Sequence, residues 1–245
     1  MKALIIAAGR GSRLQNLIKT KPKPLIQLLG LSLIERVILT AKQSGINEFV
    51  IIIGYLGDKI KATLGDGKRL GVIINYIENN EWKRGNGTSV LKAKELLNEK
   101  FVLLMSDHIF DFRILKELID YDINKSCVLA VDRKKPQRDD TKVLEENGRI
   151  IDIGKNIEKS NCIDTGIFLC LPKIFSYIEE VIQEGKTELA DGIAEAAKNG
   201  DAETFDITLI ENYDSKMKKE IKPWWLDIDS EEDLKAAEEY LIKKI

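Results

Sequence analysis

The sequence predicts an α/β fold in which a mixed, mainly parallel central sheet is flanked by helices. Short and almost wholly apolar runs, such as 48–54 and 101–105, have the composition of strands that are buried on both faces. Other segments, such as 31–44, carry apolar residues at the spacing of one helical face. Alternation of such strands and helices is typical of a parallel sheet that is covered on both sides.

The first half of the chain contains the clearest predicted elements. The apolar run 3–8 predicts a first strand that leads into a glycine turn. Further strands are predicted at 48–54, 71–77 and 101–105, and helices at 31–44, 58–64 and 89–98. Because ligands of such sheets bind at the carboxyl ends of strands, the residues after these strands are candidates for a site.

The second half predicts a more mixed sheet. Strands are expected at 127–132, 141–145, 148–154, 165–170, 204–209 and 224–228. Asn147-Gly148 has the composition of a hairpin turn. Helices are predicted at 173–184, 187–198 and 230–244, and we expect Ser230 to cap the last one. No linker divides the chain, which we interpret as a single domain over residues 1–245.

Composition restricts the partners and the compartment. Lys and Arg number 38 against 40 Asp and Glu, and a net charge of -2 gives no attraction to nucleic acid or to an anionic membrane. Cys127, Cys162 and Cys170 lack metal-site spacing, which predicts buried free thiols and a reducing cytoplasm. The first apolar run is too short for a signal peptide and we find no apolar run of membrane-spanning length. Abundant Lys, Glu and Ile, with 3 Met and 1 His, are typical of a thermophile.

The glycine turn after the first strand is the first candidate site. In Ala7-Ala8-Gly9-Arg10-Gly11-Ser12-Arg13, bare N–H groups and two guanidinium groups face whatever binds at the strand end, which suits a polyphosphate, although a plain tight turn also fits. A dinucleotide-binding turn is disfavoured because Leu14 stands where a third glycine is needed. No Gly-Lys-Ser/Thr follows, which disfavours a Walker A loop. Pro22 and Pro24 hold Lys23 in a non-helical backbone, which predicts that its side chain has a fixed direction.

Acidic residues end two of the predicted strands. Asp107 follows the most apolar strand, where a carboxylate is costly unless it is paired. Asp227 and Asp229 end the run WWLDID. Two acidic strand ends could converge on one divalent cation, and oxygen ligands with open positions suit Mg²⁺. Asp229 taken alone also fits a cap of the last helix.

Three further groups have both a functional and a structural interpretation. His108 is the only histidine, and we assign it at most a positioning role. Asn86-Gly87-Thr88-Ser89 opens a helix, so its backbone could approach a flat ring or simply cap that helix. Lys142 lies on a predicted strand, where it could meet an anionic substrate in a cleft or remain on the solvated surface.

These motifs resemble the nucleotidyltransferase family that makes activated sugars and alcohols from a nucleoside triphosphate and a phosphomonoester. The match rests on residues 7–14 followed by Lys21-Pro22-Lys23-Pro24-Leu25. Segments 86–89, 105–108, 140–143, 164–166 and 225–229 are most similar to the CTP:inositol-1-phosphate cytidylyltransferases of thermophiles. The resemblance implies a Rossmann-like fold with a nucleotide-binding half, about 1–110, and an acceptor-binding half, about 111–245.

The resemblance also implies a role for each candidate residue. Nucleotide binding would fall to Ala7, Ala8, Gly9, Arg10, Gly11 and Ser12, with Asn86, Gly87 and Thr88 near the base. Arg13, Lys23 and Lys142 would act in catalysis, Arg13 and Lys23 at the triphosphate and Lys142 at the acceptor phosphate. Asp107 would hold Mg²⁺ with Asp227 or Asp229, and Asp229 is slightly favoured. The substrate would contact Asp107, His108 and Lys142, and the hydroxyl groups of the acceptor would form hydrogen bonds with Asp164.

The implied partners are CTP and a phosphomonoester acceptor, but the base and the acceptor stay open. Asp164-Thr165 before Gly166 departs from hexose-1-phosphate relatives, and Gln15-Asn16 replaces a proline common in the loop. A hexose-1-phosphate or a choline-phosphate nucleotidyltransferase is the alternative enzyme, and Trp224-Trp225 could supply a cage for choline. An inactive regulatory subunit is the non-enzyme alternative, which the retained Arg13, Lys23 and Asp107 disfavour. Some relatives are fused to a membrane synthase. Because the chain stops at Ile245, we expect such a synthase to be encoded separately, and a homodimer is one candidate assembly.

Overall fold

A nine-stranded mixed sheet forms the centre of the protein. The computed structural model describes residues 1–11, 20–137, 139–210, 213–214, 219–220 and 222–244. In chain order the strands are β1 (Lys2–Ala7), β2 (Gln27–Leu28), β3 (Leu31–Ser32), β4 (Glu48–Ile53), β5 (Ile73–Glu78), β6 (Phe101–Met105), β7 (His108–Phe110), β8 (Cys127–Asp132), β9 (Lys142–Glu146), β10 (Arg149–Gly154), β11 (Cys162–Cys170), β12 (Ala202–Asp206), β13 (Tyr213–Asp214), β14 (Lys219–Glu220) and β15 (Trp225–Asp227).

Helices connect these strands and cover the sheet. They are α1 (Leu33–Gln43), α2 (Gly57–Leu64), α3 (Asn86–Leu91), α4 (Phe112–Ile119), α5 (Ile174–Gln183), α6 (Leu189–Lys198) and α7 (Glu231–Ile242). Short 3-10 helices lie at Lys23–Leu25, Lys68–Leu70, Lys94–Leu96 and Ile207–Leu209. No helix in the described ranges is long and apolar enough to cross a membrane.

The strand order in the central sheet is β5-β4-β1-β6-β11-β8-β12-β10-β9. The first four strands are parallel, with β1 between β4 and β6. Strand β11 then runs antiparallel to both β6 and β8, and β9 and β10 form an antiparallel hairpin. The predicted mixed, mainly parallel sheet is therefore confirmed. Because β1 and β6 are parallel neighbours, the residues that follow them emerge at the same edge.

Apolar residues alternate between the two faces of the sheet and fill a core on each side. Along β1, Ala3 and Ile5 pack on the face covered by α1, α2 and α4, and Leu4 and Ile6 pack on the face covered by α3, α5 and α6. This alternation is what a strand between two helical layers requires. A third, smaller cluster joins β2, β7 and α7, and includes Ile109 and Ile228.

Several predicted boundaries differ from the structure. Residues 31–32, predicted as helix, form β3, because Leu29 and Gly30 adopt positive φ angles and close a hairpin with β2. The helix predicted at 89–98 begins at Asn86 and ends at Leu91. The strand predicted at 204–209 ends at Asp206, whose carboxylate accepts a hydrogen bond from Thr208 N at 2.9 Å and starts a 3-10 turn.

Two elements near the predicted site were not anticipated. Strand β7 pairs antiparallel with β15, and α4 follows it. Asp111 starts α4, since its side chain accepts a hydrogen bond from Arg113 N at 3.1 Å. In the second half, the Asn147-Gly148 turn has positive φ at both positions, as predicted for a hairpin. Cys127, Cys162 and Cys170 are buried free thiols, as predicted from their spacing.

The substitution Phe175→Ala tests how much the packing of α5 on the sheet contributes to stability. Its ring stacks on that of Phe101 of β6, with centroids 5.4 Å apart and 9° between the planes, and both residues are buried. We expect Phe175→Ala to lower the free energy of unfolding by about 3–5 kcal/mol, through lost transfer energy and a cavity. Urea denaturation measures this, and Leu209→Ala, at a position that is 75% exposed, is the control with a change of about 0.5 kcal/mol or less. Equal effects of the two substitutions would contradict a role of Phe175 in the buried core.

Candidate active site

Two cavities adjoin at the carboxyl edge of β1 and β6. The smaller, of about 300 Å³, is lined by residues after β1, by the lysine at 23 and by the start of α3. The larger, of about 1060 Å³, lies against β9, β10, β11 and the start of α6. Both cavities are lined by Asn86, Met105, Asp107 and Asp229. Two ligands could therefore meet at these shared residues.

The ammonium group of Lys23 lies at this junction, between two carboxylates. Its Nζ is 2.5 Å from Oδ2 of Asp107 and 2.6 Å from Oδ1 of Asp229. Only 5% of Lys23 is exposed. Burial alone would lower the pKa of Lys23, but the charges of Asp107, Asp227 and Asp229 outweigh burial and raise the pKa above its usual range. Lys23 therefore stays positively charged where the cavities meet.

The backbone on both sides of Lys23 holds it in place. Lys23 opens a 3-10 helix between Pro22, which is extended at φ -70°, and Pro24. Gly11 packs against its aliphatic stem, and a Cβ on Gly11 would come within 2.7 Å of Cβ of Lys23. With φ at +68°, Gly11 also occupies a conformation that favours glycine. The glycine turn and Lys23 are thus in direct contact.

Asp227 lies beside His108 because β15 pairs with β7. The register places Asp227 opposite His108, and Oδ1 of Asp227 is 3.4 Å from Nε2 of His108. Burial alone would lower the pKa of His108, but Asp227, Asp107 and the carbonyl of Thr165 outweigh it and raise the pKa to about 10. Burial alone would raise the pKa of Asp227, and His108 and Lys23 hold it below its usual range. The two side chains form an ion pair.

His108 is fixed on its other side by β11. Its Nδ1 donates a hydrogen bond to the carbonyl of Thr165, at 2.7 Å. Gly166, at φ +74°, leaves room for the ring, since a Cβ there would collide with Nδ1 of His108. The ring of Trp225 lies 5.7 Å away, and its Nε1 donates to Asp132 Oδ2 at 2.8 Å. Contacts on both ring nitrogens therefore hold His108 in one orientation beside Asp227.

Two predicted acceptor residues lie on neighbouring strands. The Oδ1 atom of Asp164 accepts a hydrogen bond from Gly166 N at 2.6 Å, and Asp164 lines the larger cavity. Burial raises the pKa of Asp164 to about 6. Lys142 itself does not line this cavity, but Leu144 does and shares a strand face with it. Lys142 is therefore at the rim rather than in the wall.

At the start of α3, Asn86 lines the cavities, but Gly87 and Thr88, which were also predicted near the base, do not. Asn86 lines both cavities, but its Oδ1 accepts a hydrogen bond from Leu189 N at 2.7 Å and so caps α6. Gly87 packs on Thr187, whose carbonyl accepts from Gly87 N at 2.9 Å. Thr88 donates its hydroxyl to the carbonyl of Gly85. Gly87 and Thr88 line neither cavity, because this turn anchors the link between α5 and α6.

The glycine turn divides between wall and support. Ala7, Gly9 and Gly11 line the smaller cavity. Ala8 is buried behind them, and its carbonyl accepts from Tyr55 N at 2.9 Å. The exposed Arg10 lies with its guanidinium 5.6 Å from the centre of the Tyr55 ring. Ser12 and Arg13, which the sequence assigns to the triphosphate, are outside the described residues.

Several wall residues are not among the predicted site residues, although Ser89 belongs to the predicted helix-opening turn. Trp82, Arg84 and Ser89 line the smaller cavity, and Asp152, Lys155 and Lys159 line the larger. A tryptophan in a polar segment between a strand and a helix was the available signal for Trp82. The loop after β10, which carries both lysines, has no such signal, because its lysines are indistinguishable in sequence from surface lysines.

The carboxylates fit a divalent cation. One ligand atom each of Asp107, His108 and Asp227 lies within 4.8 Å of the others. The Oδ1 atom of Asp227 is buried and accepts no hydrogen bond within the described part of the chain. Its ionic partner, Nε2 of His108, lies 3.4 Å away, which leaves this oxygen capacity for a cation. Carboxylate oxygens suit Mg²⁺ better than an imidazole does. A divalent cation here would be held by Asp107 with Asp227 or Asp229, and His108 contacts Asp227.

Curated relatives extend over the whole chain. Bifunctional IPC transferase and DIPP synthase from Rubrobacter xylanophilus is 31% identical over 245 residues, which is 98% of this chain and 52% of that protein. The protein of the same name from Aquifex aeolicus is 32% identical, with the same coverage. The chain thus spans about half the length of the curated relatives it matches.

Solved structures match the fold. The inositol-1-phosphate CTP transferase from T. maritima has a TM-score of 0.82 and 26% identity, and the match covers 97% of this chain and 93% of that chain. A putative glucose-1-phosphate thymidylyltransferase from Bacillus anthracis has a TM-score of 0.81, at 24% identity over 100% of this chain and 96% of that one. The second likeness concerns the fold alone.

The sequence pattern of the nucleotidyl transferase family matches residues 2–244. Since this match includes every element that forms the two cavities, the protein belongs to the nucleotidyl transferase family.

Proposed function

We propose that this protein transfers the cytidylyl group of CTP to inositol-1-phosphate, giving CDP-inositol and pyrophosphate. The observation that carries the proposal is the meeting of two cavities at Lys23, Asp107 and Asp229. A transfer between two polyanions needs two binding sites and a positive charge at their junction. The names of the relatives from R. xylanophilus and T. maritima support the choice of CTP and inositol-1-phosphate.

The smaller cavity is the proposed site of the nucleotide. The bare backbone of Gly9 and Gly11 faces it beside the end of β1, which suits a triphosphate. Trp82 and Asn86 lie on the same cavity and would flank the base. These residues belong to the first part of the chain, which supports the division into a nucleotide-binding half up to about residue 110 and an acceptor-binding half after it.

The larger cavity is the proposed site of the acceptor. Inositol-1-phosphate combines many hydroxyl groups with one phosphate. Carboxylates on this cavity can accept hydrogen bonds from hydroxyl groups, and its lysines can pair with the phosphate. The acidic wall residues include Asp139, Asp140, Asp152, Glu158, Asp164 and Asp191, and the lysines are Lys155 and Lys159, with Lys142 at the rim.

In the proposed reaction an oxygen of the acceptor phosphate attacks the α-phosphorus of CTP in line. The new P–O bond forms as the bond to the pyrophosphate oxygen breaks, and pyrophosphate leaves. Lys23 neutralises negative charge that develops on the transferred group, and Lys142 offsets the charge of the incoming phosphate. A Mg²⁺ ion held by Asp107 with Asp227 or Asp229 would supply further charge neutralisation on the triphosphate. His108 keeps Asp227 in place.

Choline phosphate is a weaker alternative acceptor. The ring of Trp225 faces His108, but Trp224 packs against Tyr240, with centroids 5.3 Å apart. Lys244 already lies 5.2 Å from the Trp224 ring centre. Within the described residues, the two tryptophans therefore do not form one cage for a quaternary ammonium group.

The relatives' names also join an IPC transferase to a DIPP synthase. We propose that the CDP-inositol made by this chain is used by a synthase activity that lies outside residues 1–245. A nucleotide-activated alcohol is a reactive donor, since cleavage of its phosphoanhydride bond releases CMP as a good leaving group.

A screen of pyrophosphate release tests the assignment. The four nucleoside triphosphates are each combined with inositol-1-phosphate, glucose-1-phosphate and choline phosphate, with Mg²⁺ and with EDTA. We expect the highest rate with CTP and inositol-1-phosphate, and loss of that rate in EDTA. A preference for another acceptor would overturn the substrate assignment, and release in none of the mixtures would favour a regulatory subunit.

Lys23→Met tests the charge at the junction. We expect the turnover rate to fall by about 10²–10³, the scale seen when one preorganised charged donor is removed. Far-ultraviolet circular dichroism should show a retained fold. Lys61→Met, which removes a surface lysine paired with Glu78, is the control and should leave turnover unchanged. Near-normal turnover of Lys23→Met would contradict the mechanism.

Gly166→Ala tests the seat of His108. The added methyl group would push the imidazole ring away and disturb Asp227, so we expect turnover to fall by about 10- to 100-fold. Gly200→Ala is the matched control, because Gly200 has φ +64° and open space around it. Backbone strain should cost each variant about 1 kcal/mol of stability. Gly166→Ala should lose more than Gly200→Ala, because its methyl group also collides with His108. The idea fails if both variants keep the wild-type rate.

A further inference from the structure

Lys23 occupies a place that a divalent cation would need. Its Nζ bridges one oxygen of Asp107 and one of Asp229, at 2.5 and 2.6 Å. These carboxylates come from different parts of the chain, since Asp107 follows β6 and Asp229 follows β15. A cation at this point shields two carboxylates that would otherwise repel each other across a partly buried site.

The backbone of Asp107 and that of Asp229 are held by contacts that do not involve Lys23. The backbone N–H of Ile228 donates to the carbonyl of Asp107 at 3.2 Å, which joins the two strand ends. The N–H of Asp229 donates to Asp233 at 3.1 Å, at the start of α7. The main chain that carries both carboxylates is therefore held independently of Lys23, and an exchange of one cation for another needs no rearrangement of the strands.

The ammonium group of Lys23, by contrast, can move to another partner. Its stem lies against Gly11, at the turn whose backbone faces the smaller cavity. A lysine ammonium group sits on four flexible carbons and can change partners while its backbone stays fixed. Anionic phosphate groups bound at the glycine turn would offer Nζ a new partner close to its present one.

We infer that Lys23 acts as an internal counter-ion that excludes divalent cations from Asp107 and Asp229 until a triphosphate draws its ammonium group away. The inference rests on the proposed use of a divalent cation at these carboxylates. It deepens that proposal by adding an order: the cation takes this place together with the nucleotide, not before it. The raised pKa of Lys23 agrees with an ammonium group that stays charged in the free protein.

The test measures Mn²⁺ binding to the nucleotide-free, full chain, because aqueous Mn²⁺ has an electron paramagnetic resonance signal that is lost on binding. We expect Lys23→Met to bind Mn²⁺ more tightly than the wild type, by about tenfold or more, since the substitution removes a positive charge in contact with both ligands. Lys155→Met removes a lysine from the larger cavity and is the control for net charge. We expect its affinity to stay within about threefold of the wild type.

A double variant locates the ion. In Lys23→Met/Asp229→Asn the gain in Mn²⁺ affinity should be lost, because one of the two vacated carboxylates is gone. The inference is overturned if Lys23→Met binds Mn²⁺ no more tightly than Lys155→Met. It is also overturned if the gain survives Asp229→Asn, since the ion would then lie where Lys23 does not compete.

Thermal unfolding covers the case in which Lys23→Met is unstable. Without Lys23 the carboxylates repel each other, so Mn²⁺ should raise the melting temperature of Lys23→Met more than that of the wild type. If the variant is unfolded in EDTA, Mn²⁺ must restore its fold, and failure to do so contradicts the inference. Turnover is not read in these assays. An inactive protein with the expected Mn²⁺ shift would refute the proposed reaction alone, and an active protein without the shift would refute the inference alone.

Discussion

The pairing of one buried ammonium group with carboxylates from two distant strand ends is the interaction on which the site depends. Lys23 is separated from Asp229 by 206 residues, yet their charged atoms are 2.6 Å apart. A charge as buried as this one is tolerated only when it is paired, and removal of one partner leaves the other uncompensated. The parallel order of β1 and β6 brings the glycine turn and Asp107 to one edge, and the β7–β15 pair adds Asp227 and Asp229.

A second set of contacts keeps the carboxylates oriented, and it depends on an irregularity in the sheet. Between Asp164 and Phe168 the pairing of β11 with β8 shifts register, and Gly166 lies within this interval at φ +74°. The missing side chain makes room for the ring of His108, which pairs with Asp227. A regular strand with a larger residue there would force the imidazole out. The antiparallel strand that separates the two halves of the sheet therefore also supports the junction of the two cavities.

The sequence predicted the parts of the site that follow from strand ends. An apolar run that stops at a charged residue indicates both a buried strand and a costly carboxylate, which is how Asp107 was found, and two prolines identified Lys23. The contacts that Asn86 and Gly87 make with the start of α6 are not predictable in this way. Asn86 accepts from Leu189, 103 residues away, and Gly87 packs on Thr187. Such contacts depend on how α3 meets α6, and no local pattern contains that information. The same holds for the seat of His108.

The charges at the junction suggest why a metal ion and a triphosphate would arrive together. Three carboxylates, Asp107, Asp227 and Asp229, face two cationic groups, Lys23 and His108, in the protein itself. A divalent cation added alone would meet an ammonium group already in contact with two of its ligands, which is unfavourable in a partly desolvated site. A triphosphate added alone would bring negative charge towards the same carboxylates. Added together, the cation can bind the carboxylates while Lys23 turns to the phosphates, so that each anion keeps a cationic partner.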